Sequence, residues 1–125
     1  MEPKIHHPYI KVGRIKSTVA QDAHIKCADI YISKNQIKHI SARHHIELQQ
    51  LGMTVEQYIG YIIDNYNQIR KGAGESILLV VYDDGNSKHD SAAMALNYSI
   101  EKEFWEIKTA QPRKTDDILK REKIW

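Results

Sequence analysis

The period of the hydrophobic positions changes several times along the chain, and each change predicts an element. Residues 1–28 have little pattern apart from Tyr9-Ile10-Lys11-Val12-Gly13-Arg14-Ile15, whose alternation predicts one edge strand. Asp29-Ile30-Tyr31-Ile32 is a short β-rich run, and Ser33 after it is a good N-cap for a helix beginning at Lys34. At about 100° per residue, Ile37, Ile40, His44, Leu48 and Leu51 share one side of that helix. His39, Arg43 and Gln50 share another, so His44 is expected to point toward the apolar side. Gly52 ends the helix, and Thr54 with Gln57 has the spacing of a capping box for the next one. Val55, Tyr58, Ile59, Ile62, Tyr66 and Ile69 then form the strongest helical stripe in the chain.

Lys71-Gly72-Ala73-Gly74 breaks that helix. The continuous apolar run Ile77 to Tyr82 predicts a strand buried on both faces and central in a sheet. A polar loop from Asp83 to Asp90 follows, then Ala92, Met94, Leu96, Tyr98 and Ile100 at period two. Glu101-Lys102 turns the chain into a partner strand with Trp105, Ile107 and Thr109 facing one way and Phe104, Glu106 and Lys108 the other. These two strands are expected to pair as a hairpin. Thr115 with Asp116-Asp117 is expected to cap a last short helix whose basic end holds Lys120, Arg121 and Lys123. The order predicts an α+β domain.

Composition narrows the class. A chain of 125 residues, 42% hydrophobic and 27% charged, suits one globular domain. No stretch approaches the ~18 apolar residues of a membrane span, and Met1-Glu2-Pro3-Lys4 lacks a secretory pattern. Cys27, the lone cysteine, can form neither an internal disulfide nor a thiolate cage, and is expected to be a small buried residue. A net charge of +2 means that nucleic-acid affinity must come from a local patch. Two patches qualify: Lys34, Lys38 and Arg43 with the histidines, and Arg113, Lys114, Lys120, Arg121 and Lys123.

The densest chemistry lies in Lys38-His39-Ile40-Ser41-Ala42-Arg43-His44-His45, where three of seven histidines flank a permanently charged guanidinium. Cleaving RNA without metal needs a base for the 2′-hydroxyl, an acid for the leaving 5′-oxygen and a cation on the phosphate. In this reading Arg43 binds the scissile phosphate and His39 acts as base or acid. His44 or a late-strand residue completes the set, the strand candidates being Tyr98, Lys108 and Thr109. Glu106, which shares a face with Asn97, Ser99 and Lys108, is the alternative acid–base. Lys38, Tyr98, Lys108 and Arg113 are the expected substrate contacts. Plainer roles compete: His44 as a core histidine, Arg43 paired with Glu47, Tyr98 as part of the core. No metal and no cofactor are expected. His39 and His44 are five apart rather than three or four, although His6, His7, His24 and His89 could contribute in space. Gly72-Ala73-Gly74 lacks the Lys-Ser/Thr of a phosphate loop.

The strand Ile30-Tyr31-Ile32, the motif His39-Ile40-x-x-Arg43-His44, the segment Asn65-Tyr66-Asn67-Gln68-Ile69, the run Leu78 to Tyr82 and the close Trp105 to Ala110 together resemble the phage and mobile-element nucleases of the barnase–EndoU–colicin–RelE-like superfamily. The resemblance covers residues 29–125 and leaves 1–28 as an N-terminal extension. It implies two helices beside a small antiparallel sheet and a metal-independent RNase, often a toxin or effector. His39, Arg43 and His44 match the family's helix motif, and Thr109 its late-strand polar residue; the acid–base pair stays open. The expected reaction is an endoribonuclease cleavage leaving a 2′,3′-cyclic phosphate. An immunity or antitoxin protein would be the cognate partner, and the site of action the cytoplasm of the maker or of a target cell. The alternative is a non-catalytic RNA- or protein-binding module of a mobile element.

Overall fold

The computed structural model describes residues 8–82 and 90–125. Most of the predicted Asp83–Asp90 loop, with His6, His7 and His89, lies outside the described residues. In chain order the elements are β1 (Tyr9–Arg14), α1 (Ser17–Ala23), β2 (Asp29–Ser33), α2 (Lys34–Leu51), α3 (Val55–Asn65), β3 (Gln68–Lys71), β4 (Ile77–Val81), β5 (Asp90–Ser99), β6 (Phe104–Lys114) and α4 (Thr115–Leu119). The fold is α+β. One six-stranded sheet runs β1-β2-β6-β5-β4-β3, antiparallel except where β2 and β6 run parallel through Ile30↔Trp105 and Tyr31↔Glu106.

The local signals for the two long helices hold. Ser33 Oγ accepts from Gln36 N at 3.0 Å, and Gly52 closes α2 in the left-handed region at φ 70°. Thr54 and Gln57 form the reciprocal capping box of α3, at 3.1 and 3.0 Å. Strand β4 is interior, and four of its five residues are buried.

The sheet separates two apolar layers. Ile30, Ile32, Leu79, Met94, Leu96, Trp105, Ile107 and Ala110 meet Ile40 and Leu48 of α2 and Val55, Tyr58, Ile59 and Ile62 of α3. On the opposite face Leu78, Val80 and Ala93 pack against Ile118 of α4 in a smaller cluster. Among the described residues no helix covers the β1–β2–β6 side of that face, where Tyr31, Phe104 and Glu106 lie.

Several expectations change. The N-terminal stretch contains α1, whose Val19, Ala20 and Ala23 enter the main core beside Ile15 and Ala28. The helical stripe stops at Asn65: Tyr66 is the C-cap and Ile69 sits in β3, where a residue with helical phase is buried by strand pairing instead. Leu51, on the last turn, is 52% exposed. Cys27 is exposed, because it follows α1 at the sheet rim, 3.5 Å from the Arg14 guanidinium. Thr115 is not a cap but the first residue of α4, buried with its hydroxyl 2.7 Å from Ser91 Oγ. The hairpin forms as expected, but its register slips: Ala95 pairs Thr109 while Leu96 pairs Ile107, so Lys108 is the extra residue of a bulge. Thr109 therefore faces away from Trp105 and Ile107 rather than with them.

Candidate functional site

Strand β2 pairs β6 only through Tyr31↔Glu106, then gives way to α2 at Ser33. The helix runs on beside β6, and Gln36 Nε2 donates a hydrogen bond to the carbonyl of Lys108 at the bulge. That bond satisfies a backbone oxygen the bulge withdraws from ladder pairing. His39 and Arg43 lie three and seven residues beyond Gln36, on the same face of α2, both exposed. One turn advances about 5 Å, so this face extends along the part of β6 that begins with Lys108 and Thr109.

Arg43 Nη1 stands 3.4 Å from His39 Nε2. A guanidinium can only donate, so any hydrogen bond across this gap would use the lone pair on Nε2. The separation is long for a hydrogen bond, which leaves both groups open to an oxyanion between them. Glu47 does not pair with Arg43. Its Oε1 lies 3.3 Å from His44 Nδ1, and among the described residues no carboxylate pairs with Arg43. His44 has non-helical backbone angles, φ −126° and ψ 16°, and its mostly buried ring contacts Glu47. His45 folds back on its own helix, Nδ1 3.4 Å from Ala42 O, and Lys38 is exposed beside His39.

The uncovered sheet face supplies the other half. Lys108 Nζ lies 3.7 Å from Glu106 Oε1, and Glu106 Oε2 accepts from the Tyr9 hydroxyl at 3.4 Å. Tyr9 in turn accepts from Lys102 Nζ at 2.5 Å. This hydrogen bond is the chief reason that the Lys102 pKa is raised above the ordinary lysine value. Beneath the charges Tyr31 lies against Phe104 with ring centroids 4.4 Å apart, and Tyr9 meets the same ring edge-on at 5.3 Å. Asn97 is the cross-strand partner of Glu106, and its buried Oδ1 has no hydrogen-bond partner among the described residues. Thr109 shares this face with Ala95, its partner in β5.

The Gln36 contact thus sets the His39/Arg43 face of α2 beside Lys108 at the edge of β6, while Glu106 and Thr109 lie on the opposite face of the sheet from α2. Tyr98 is elsewhere. It packs edge-on against Trp105 at 5.3 Å on the helical side of the sheet, with Lys26 Nζ 5.9 Å from its ring centroid. Arg113 lies further along β6, against α4. Tyr9 and Lys102 were not among the residues singled out from the sequence. They are 93 positions apart, and only the pairing of β1 onto β2 and β2 onto β6 brings them together.

Among the described residues no three His, Cys, Asp or Glu side chains group as a metal cage would require, and no helix is long and apolar enough to cross a membrane. What the cluster offers is proton-transfer groups beside fixed cations: imidazole and guanidinium on α2, carboxylate, phenol and two ammonium groups on the sheet. Compared with known family models, with curated proteins and with solved structures, the chain matches none.

Proposed function

We propose that this chain is a metal-independent endoribonuclease. The observation that carries the reading is the 3.4 Å approach of Arg43 Nη1 to Nε2 of His39 on an exposed helix face that Gln36 ties to the bulge of β6. A phosphodiester seated there meets a permanent cation on its non-bridging oxygens and an imidazole able to take the 2′-hydroxyl proton. The 2′-oxygen attacks phosphorus, the bond to the 5′-oxygen breaks, and that oxygen leaves with a proton from a second group, giving a 2′,3′-cyclic phosphate. In this reading His44 or Glu106 shares acid–base duty with His39, while Lys38, Lys108 and Thr109 hold the strand. The likeness of His39-Ile40-x-x-Arg43-His44 to phage and mobile-element nucleases supports a toxin or effector working in a cytoplasm. It also implies a cognate inhibitor, acidic enough to cover the His39/Arg43 surface.

A second reading, an RNA- or protein-binding module that does not cut, is favoured by the aromatic sheet face of Tyr9, Tyr31 and Phe104. The two part on one experiment: transfer and ribosomal RNA incubated in excess EDTA with the wild type, His39→Ala and Arg43→Ala. Discrete cleavage with cyclic-phosphate ends, lost by about 10²–10⁴-fold in His39→Ala, supports the nuclease. Intact RNA bound by folded protein supports the module.

A further inference from the structure

Arg70 is 8% exposed, an unusual place for a guanidinium. Its Nε donates to Gln68 Oε1 at 3.0 Å and its Nη1 to the carbonyl of Arg121 at 2.7 Å, both neutral acceptors. Among the described residues no carboxylate pairs with it. A buried charge without a counter-charge is costly, and an anion nearby relieves that cost. Arg121, whose carbonyl accepts the Arg70 bond, lines an open cleft of about 330 Å³ together with Arg113, Asp117, Ile118 and Lys120. Its three cations face one carboxylate, and Asp117 is only loosely engaged, 3.9 Å from Lys120 Nζ. Among the described residues Arg113 and Arg121 pair with no carboxylate. The cleft is built rather than incidental: the Arg70 bond and a 3.0 Å bond from Arg121 N to Ile118 O fix the Arg121 backbone, and Ile118 is locked into the core beneath α4.

Arg113 is four residues beyond Thr109 on the same strand and, by alternation, the same face, about 13 Å along β6. We propose that this cleft is a phosphate-binding subsite that holds the RNA strand at a point remote from the bond being cut. Arg113 and Arg121 grip a phosphodiester as paired donors, and Lys120 adds a point charge. The proposal rests on the reading of RNA as substrate, and makes β6 the rail between the reacting phosphate and a second, purely electrostatic hold.

The test uses the full chain carrying His39→Ala, so that RNA is bound and not consumed. Inorganic phosphate and then an octameric single-stranded RNA are titrated against it while backbone amide resonances are followed. The same RNA is bound over a salt series by this protein and by its Arg113→Ala/Arg121→Ala derivative. The expected result is that both ligands shift the amides of Arg113, Lys120 and Arg121, that the double substitution weakens RNA binding about tenfold, and that the slope of log K against log salt falls by about 1.4, or ~0.7 per lost cation. Arg113→Lys/Arg121→Lys should recover the slope and only part of the affinity. RNA bound with unchanged affinity and slope overturns the proposal, as does phosphate entering the cleft while RNA leaves it unshifted. With His39 restored, the double variant should cut a long RNA with a raised KM. Unchanged KM on long RNA sinks the subsite alone, whereas failure of the wild type to cut any RNA sinks the nuclease reading.

Discussion

Lys102 donates a 2.5 Å hydrogen bond to the Tyr9 hydroxyl and holds its ammonium 4.2 Å from the Tyr9 ring centroid, tying the first strand to the turn between β5 and β6. The bond raises the Lys102 pKa, so its stabilising effect is complete below the ordinary lysine value and is lost as pH climbs through the raised one. Tyr9→Phe keeps the ring and removes the oxygen. Its urea midpoint should be lower than that of the wild type at neutral pH, with the two converging in strongly alkaline buffer. A gap that persists at every pH would show that the ammonium bond is not its source.

Gly13 sits in β1 where α3 crosses closest. A methyl group added there would lie 2.9 Å from Ile63 Cγ2 and 3.2 Å from its Cδ1. Ile63 is β-branched and stiff at χ1, so the clash cannot be relieved by a rotamer change alone. Gly13→Ala should cost ~1–3 kcal/mol by chemical denaturation. In an Ile63→Ala background the same change should be neutral or slightly stabilising, because only the reduced entropy of the unfolded chain remains. Equal costs in both backgrounds would place the constraint in the strand backbone instead.

The sequence signals that held were local ones. Ser33, Gly52 and the Thr54–Gln57 pair each act within four residues, and each marks an observed helix boundary. The signals that misled depended on distant partners. Ile69 fits the α3 stripe, yet pairing with Leu79 puts it in a strand. Thr109 fits the alternation with Ile107, yet the slip at Lys108 turns it over, and nothing in Lys108 itself announces a bulge. The motif His39 to His45 was legible as chemistry because residue types and spacing carry it. Glu106 was legible too, but its contact with Tyr9 and Lys102 was not, since parallel pairing of β2 with β6 leaves no mark in either strand.

The capping box of α3 gives a prediction free of any functional reading. Thr54 Oγ1 accepts from Gln57 N at 3.1 Å, and Gln57 Oε1 accepts from Thr54 N at 3.0 Å. Thr54→Ala orphans a backbone donor and should lower stability by ~1 kcal/mol. Gln57→Ala should cost less, and the double variant less than the sum, since each side chain helps to hold the geometry of the other. Strict additivity in a double-mutant cycle would mean that the two halves of the box act alone.

Gln36 is the hinge on which the proposed reaction turns, although it touches no substrate. Its side-chain bond to the Lys108 carbonyl tethers α2 to β6 one turn before His39 and two before Arg43. Gln36→Leu keeps much of the volume and removes the donor. Loss of a merely structural bond would lower stability by ~1 kcal/mol and leave turnover at low temperature untouched. A positioning role makes a different prediction: kcat on RNA falls at a temperature where the variant is fully folded, KM changes little, and Gln36→Glu, which cannot donate when ionised, fails as Gln36→Leu does. If turnover holds in both variants, α2 is oriented by its core residues Ile40 and Leu48 alone.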